Sequence, residues 1–476
     1  MGDFSCVAAE MGSSRVKAAV FGGGVKESSC SRTVGIHVDG VFSEFDPDLQ
    51  VSALFDSMVE ALGKSGRKSV DAVCVSSFGP VSVFLDSSLK PARMAVSCLD
   101  SRAGEEAGCI FRESGRFVPP SFIAPVTLWV KRHEPSVFSG VAWVVQLLDY
   151  AASVLVGSPS RAVLSDDFTP FPEFAWKAAG LDGSLLPPAV RTGDPLGGLC
   201  RKAASRLGLR EGTPVYAGTG GADVAENLLG SACLSEGVAC DKTGTTEGIE
   251  IVSSSRIEDP RFFTARHPFL PGKWHSGAVM SSGGRVFEWF LRSFYGPSAS
   301  FEDMTREAES APPGSGGLVF LPYLAGERCP VFDPSARGVF FGLSEKHGRP
   351  HMARAVMEGV VYAMSGIMDM FAGHGVRPSL VRGSGLPSGN RLLNRIKADV
   401  LGLPYQPALD PEPELVGVAA IAMTAAGLFG SFAEASESMV SFADTVEPSE
   451  NGREEYEKGL SVYRRLYPSL KPLFPR

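Results

Sequence analysis

Three short stretches of glycine, serine and threonine stand far apart in this chain: Gly12-Ser13-Ser14, Thr243-Gly244-Thr245-Thr246 and Gly383-Ser384-Gly385 with the residues up to Gly389. Backbone N–H groups in such turns, helped by small hydroxyl side chains, can surround phosphate oxygens without steric conflict. Each turn taken alone reads more readily as an ordinary tight turn. Two carboxylates accompany them. Asp223 follows Gly218-Thr219-Gly220-Gly221-Ala222, where a strand gives way to a helix. Open α/β sheets present ligands at such strand ends, although an acid there also suits the N-cap of the helix that follows. Glu10 opens the first turn, as a catalytic-side acid or as a solvated turn carboxylate. Gly63-Lys64-Ser65 is not a P-loop, because Met58 stands where a glycine is required and a helical pattern precedes it. The Gly383–Gly389 run lacks dinucleotide G-x-G-x-x-G spacing. His347 and His351 are separated by Pro350, which argues against a metal pair on one helical face.

The elements that must position these groups follow from periodicity. Residues 5–9 and 16–21 predict two strands joined by the small-residue turn, and residues 238–241 and 248–252 predict a second such hairpin around Thr243–Thr246. This suggests a duplicated architecture. Helical spacing marks 51–62 and, most clearly, 353–371, with helices also predicted over 223–229 and 390–401 and a closing amphipathic helix over 450–467. Strands are predicted at 70–75, 81–85, 215–217 and 380–382, and mainly helical structure over 120–210.

At 476 residues the chain calls for two domains. A hydrophobic content of 44% with 21% charged residues excludes a disordered chain, and a net charge of -8 gives no footing for nucleic acid. The N-terminus lacks the basic start and apolar run of a signal peptide, and the apolar stretch from Val416 to Gly430 is too short to span a membrane. Nine cysteines without a CxxC pair read as reduced thiols, and hence as a cytoplasmic protein.

Two segments carry a family resemblance. Gly338-Val339-Phe340-Phe341-Gly342-Leu343, followed after seven residues by His351-Met352-Ala353-Arg354-Ala355-Val356-Met357-Glu358, resembles the C-terminal motif of the FGGY carbohydrate kinases. Just before it, Phe320-Leu321-Pro322-Tyr323-Leu324-Ala325-Gly326-Glu327-Arg328 is similar to that family's FLPYLxGER run. The rest follows in order. Glu10 to Lys17 resembles the first phosphate loop, Leu99-Asp100-Ser101-Arg102-Ala103 the W-x-D-x-R-A stretch, and Gly220-Gly221-Ala222-Asp223 the segment holding the catalytic aspartate. Gly244-Thr245-Thr246 resembles the second phosphate loop, and Gly383 to Asp399 the adenosine-binding turn and helix.

This resemblance implies an α/β fold of two actin-like (ribonuclease H-like) domains with an interdomain active-site cleft that closes to exclude water. The expected divisions are 1–213 on the sugar side, 214–445 on the nucleotide side and 446–476 as a closing helix. It implies transfer of a phosphoryl group from ATP, with Mg²⁺, to a primary hydroxyl of an open-chain sugar. A ketopentose such as D-xylulose is favoured, with rhamnulose, gluconate or a polyol as alternatives. Asp223 is then the base, and Glu10 with Asp223 the metal-side carboxylates. Gly12, Ser13, Ser14, Lys17, Gly244, Thr245 and Thr246 hold phosphate, and Gly383, Gly385 and Asn390 the adenosine. Phe78, Asp100 and Asp223 face the sugar, although Phe78 also reads as core and Lys17 as a solvent-facing strand residue. The resemblance implies no nucleic-acid or membrane partner and leaves a homodimer open.

The sequence departs from the family's pattern at four places, one of them an adenosine turn about two residues longer than usual. Glu10 stands where the first loop has aspartate, Cys98 where the W-x-D-x-R stretch has tryptophan, and Ser77-Phe78-Gly79-Pro80 where xylulokinases carry Gln-Met-His-Gly. The last is closer to the S-W-G stretch of rhamnulokinases. These departures leave a sugar- or nucleotide-binding protein of weakened activity as the competing reading.

Overall fold

The computed structural model describes residues 4–475. The chain forms two compact units. The first comprises Met1–Ala232 with Glu414–Met439, and the second Cys233–Pro413 with Val440–Arg476.

In the first unit, strand β1 (Ser5–Met11) is buried along its whole length, its small and apolar residues interrupted by the single acid Glu10. It pairs antiparallel with β2 (Arg15–Gly22), which pairs antiparallel with β3 (Val25–Thr33). Helix α1 (Pro47–Ser65) covers the sheet. Asp46 caps its start by accepting from the Asp48 N–H, Pro47 opens the first turn, and Gly66 ends it at a φ of 74°. Its Leu54, Phe55 and Met58 pack with Val7, Ala9, Val73 and Val75. On the far side of β1 lies the parallel strand β4 (Ala72–Ser77), and beyond it β5 (Pro195–Gly198) and β6 (Pro214–Tyr216), with β6 parallel to β4. Helix α2 (Asp223–Gly230) follows β6.

The second unit repeats this plan. Strands β7 (Val238–Thr243) and β8 (Glu247–Ser253) form the hairpin, and β9 (Phe263–Arg266) and β10 (Trp274–Met280) extend it antiparallel. Helix α3 (Gly284–Phe294) comes next. The long helix α4 (Arg349–Gly373) spans the unit's core, where Val356, Val360, Ile367 and Phe371 pack with Ile249, Ile251 and Val381. By length and composition α4 could cross a membrane, but 72% of its apolar window is buried inside the protein, as in a core helix. Gly359 lets it approach a strand closely, since a Cβ there would sit 2.4 Å from the Phe320 carbonyl oxygen. Strand β11 (Leu380–Ser384) runs parallel to β7 and to β12 (Tyr405–Pro407), with helix α5 (Arg391–Leu401) between β11 and β12 in sequence. Both six-stranded sheets share a five-strand core of three antiparallel strands, the first of them central, and two parallel ones; β5 adds an antiparallel strand beyond the parallel pair of the first, and β9 one at the opposite edge of the second.

The units divide elsewhere than the expected 213/214 and 445/446. Strand β6 is hydrogen-bonded to β4, so residues 214–232 complete the first sheet. Helix α6 (Pro413–Ala425) and residues to Met439 also return to the first unit. Gly417 lies so close to α2 that a Cβ would come within 2.0 Å of the Glu226 carbonyl oxygen, and the Ser436 hydroxyl donates to the Leu229 carbonyl. The closing helix α7 (Arg453–Leu470) packs in the second unit through Tyr456, Tyr463 and Leu466.

Candidate active site

Glu10 lies within β1 rather than in the turn, because the strand runs two residues beyond the expected Ala9. The register sets it opposite Lys17 on one neighbour and Ser76 on the other. Lys17 Nζ stands 3.4 Å from the Glu10 carboxylate and 3.6 Å from that of Glu414 in the returning segment. Lys17 is thus a side chain shared by two acids, not a solvent-facing one. The turn itself is Gly12-Ser13-Ser14, closed by the Gly12 N–H donating to the Arg15 carbonyl at 2.8 Å, with both serines exposed.

The segment after β4 packs on the turn that leads to Asp223. A Cβ at Gly79 would lie 2.6 Å from the Gly221 carbonyl oxygen and 2.9 Å from Gln146 Oε1. Gln146 Nε2 in turn donates to the Gly220 carbonyl. Gly220 and Gly221 take φ of 67° and 83°, a consecutive left-handed pair that glycine adopts at least cost. This reversal delivers Asp223 to the first position of α2, half-buried; Ala222 holds the N-cap place, so the capping role does not fall to Asp223.

Three residues further on, Glu226 is completely buried. Its Oε1 accepts from the hydroxyls of Ser76 and Thr219, and its Oε2 has no hydrogen-bond partner. Burial pushes its carboxyl well above the usual range, and the charges of Glu10 and Asp223 push the same way against the two hydroxyls. Cys98 lies within reach of the same charge: burial, with Asp223 adding to it, raises its thiol to about 11. The charges of Glu10 and Asp223 thus both act on Glu226, and that of Asp223 acts on Cys98.

The remaining sugar-side residues are already engaged. Phe78 is a core side chain, 7% exposed, with its ring 6.0 Å from that of Phe45; its N–H donates to the Met11 carbonyl. Asp100 accepts from the Ser43 N–H at 2.6 Å and from Arg102 at 2.7–3.0 Å, while Arg102 stacks over Phe42 and Trp129.

In the second unit the turn Gly244-Thr245-Thr246 occupies the place that Gly12–Ser14 holds in the first. The Gly244 N–H donates to the Thr246 carbonyl at 2.9 Å, and Gly244 and Thr245 are exposed. Helix α3 starts against this turn, with the Gly284 N–H donating to the Gly244 carbonyl and the Arg285 N–H to that of Thr245. The glycines at 383 and 385 are closely packed within the unit. A Cβ at 383 would lie 2.0 Å from the Tyr405 hydroxyl, and one at 385 would lie 2.1 Å from the Thr243 carbonyl oxygen. Asn390 caps α5, accepting from the Leu393 N–H, and its amide donates to Thr305 Oγ1.

Several residues of these two neighbourhoods have no motif to announce them. Glu226 is a lone acid among Ala225, Leu228 and Leu229, and that placement on an apolar helical face is its one sequence signal. Gln146 and Lys397 carry none.

Two sheets built on one five-strand core, each with a glycine–hydroxyl turn after its central strand, define the actin-like architecture of phosphotransferases. The model of the C-terminal domain of the FGGY family of carbohydrate kinases matches residues 242–426. The chain is 30% identical over 458 residues to the xylulose kinase of Escherichia coli, covering 91% of this chain and 92% of that one. It is 28% identical over 500 residues to the xylulose kinase of Bacillus subtilis, with 98% and 97% covered. Among solved structures, the xylulose kinase from Rhodospirillum rubrum superposes with a TM-score of 0.81 at 25% identity, covering 99% of this chain and 100% of that one. The chain belongs to the FGGY family of carbohydrate kinases, and it is a sugar phosphotransferase that uses ATP.

Proposed function

We propose that the protein phosphorylates a primary hydroxyl of an open-chain ketopentose, D-xylulose first among them. The observation that carries this reading is the placement of Asp223 at the start of α2, beside Glu10 and the buried Glu226, in a chain whose relatives include xylulose kinases along almost their full length.

Asp223 accepts the hydroxyl proton as that oxygen attacks the γ-phosphorus in line; the bond to the bridging oxygen breaks and ADP leaves. The turns Gly12–Ser14 and Gly244–Thr246 each offer N–H and hydroxyl donors of the kind that hold phosphate oxygens. Lys17 keeps the Glu10 carboxylate oriented. Gly383, Gly385 and Asn390 shape the adenosine side, and Asp100 braces the sugar side through Ser43 and Arg102. The described residues form no cluster of three or more metal-ligating side chains. That suits Mg²⁺ arriving with the nucleotide, which keeps waters and phosphate oxygens as most of its ligands. Glu10 and Asp223 would hold it, and it would neutralise phosphate charge. The nine cysteines are all free thiols, in keeping with a cytoplasmic setting.

The test is a coupled ADP-release assay with D-xylulose, rhamnulose, gluconate and polyols as acceptors. Turnover is expected to be highest with D-xylulose. A higher kcat/KM on gluconate or a polyol would overturn the substrate assignment.

A further inference from the structure

Beneath the Gly244–Thr246 turn lies a charged cluster that the reaction does not use. Lys397 of α5 is completely buried. Its Nζ stands 2.5 Å from Asp241 Oδ2, 2.7 Å from Glu247 Oε1 and 3.0 Å from Thr243 Oγ1. Asp241 and Thr243 end one strand of the hairpin and Glu247 begins the other, so one ammonium brackets the base of the turn from both sides. Asp241 also accepts from the Tyr405 hydroxyl at 2.7 Å, and that hydroxyl fills the space above Gly383. Gly385 in turn lies against the Thr243 carbonyl. Lys397 thus ties α5 to the hairpin, and the 383–385 segment packs on two residues around that ammonium, Tyr405 and Thr243.

A buried ion cluster is a poor source of stability, because desolvation offsets most of the attraction and an apolar set of similar volume would serve as well. What it does provide is direction: three acceptors at fixed distances admit one placement of the turn. Burial pushes the Glu247 carboxyl up, against the pull of the Lys397 ammonium.

We propose that Lys397 is a positioning residue for the nucleotide, fixing the Gly244–Thr246 turn relative to the Gly383–Asn390 segment so that the phosphate end and the nucleoside end of ATP are held at a set separation. This rests on the assignment of those two segments to ATP made above.

The measurement compares ADP binding by calorimetry, and the KM values for ATP and D-xylulose, in the full-length wild type and in Lys397→Met/Asp241→Asn. That pair removes the ammonium together with one of its two carboxylates, and burial favours the neutral form of the remaining one, Glu247. The KM for ATP and the ADP dissociation constant should each rise about tenfold, with the D-xylulose KM within about twofold of wild type. An unchanged KM for ATP in the folded variant, or a parallel rise in both KM values, overturns the proposal. Should the double variant fail to fold, Thr243→Val removes one ammonium contact at nearly constant volume, and about a threefold rise in the KM for ATP is expected. No change there overturns the proposal equally. Wild type that binds no ADP would overturn the nucleotide assignment itself, whereas equal binding by wild type and variant overturns the role of Lys397 alone.

Discussion

Asp223 and Glu226 stand about one turn apart on the same short helix, and burial separates what each can do. Asp223 is half-buried at the first helical position, where a substrate hydroxyl can reach it. Glu226 is sealed beneath it on Ser76 and Thr219, with burial favouring its neutral form. Asp223→Ala is therefore expected to fold normally and to lose about 10³-fold in kcat, read by ADP release, since a positioned base contributes roughly 10²–10⁴-fold. Glu226→Gln preserves the acceptor for both hydroxyls, and kcat should stay within about tenfold of wild type. A second residue-scale prediction concerns Gly385, which takes a φ of 89° and would press a Cβ against the Thr243 carbonyl. Gly385→Ala should cost about 1–3 kcal/mol in urea unfolding and raise the KM for ATP.

At the scale of elements, the motif that marked the family turns out to be a packing device. Arg354 and Glu358 of helix α4 pair at 2.9 Å in the core. Arg354 also donates to the Ala311 carbonyl and to the Tyr456 hydroxyl on α7, while Glu358 accepts from the Gly314 N–H and the Ser315 hydroxyl. Glu358→Ala strands the guanidinium and should destabilise by about 3–5 kcal/mol. Burial raises the Glu358 carboxyl from 4.5 to about 7, against the pull of Arg354. A raised carboxyl stabilises the fold most below its unfolded value, and that contribution is lost as pH climbs through about 7. Thermal unfolding followed from pH 5 to 8 should therefore show a decline that flattens in Glu358→Gln. The hairpins, their turns and α4 were legible because strand alternation, small-residue turns and a wide apolar stripe are local signals. The Asp241–Lys397–Glu247 cluster was not, because its members lie on separate elements and a lone lysine in a helical pattern reads as solvated. The end of β1 was set two residues short, leaving Glu10 in the turn, for a related reason: an acid inside a buried strand runs against local preference, and pairing with Lys17, which Glu414 shares, supplies what the local sequence lacks.

The division of the whole chain was the least legible feature, since nothing in the composition of residues 414–439 distinguishes them from the second unit that surrounds them in sequence. Their membership of the first unit is set by contacts with α2, above all Gly417 against the Glu226 backbone. A fragment ending at Ala232 should accordingly lack cooperative thermal unfolding by circular dichroism. The same fragment joined by a flexible linker to Glu414–Met439 should regain it. The order of synthesis then has a consequence. A ribosome that has emitted Asp223 must add roughly 190 further residues before the segment that seats its helix emerges. At about 5–20 residues per second, the nascent first unit waits some 10–40 s with one flank of that helix uncovered. Protection of that flank by a chaperone during translation would matter more for this polypeptide than for one whose domains are completed in turn.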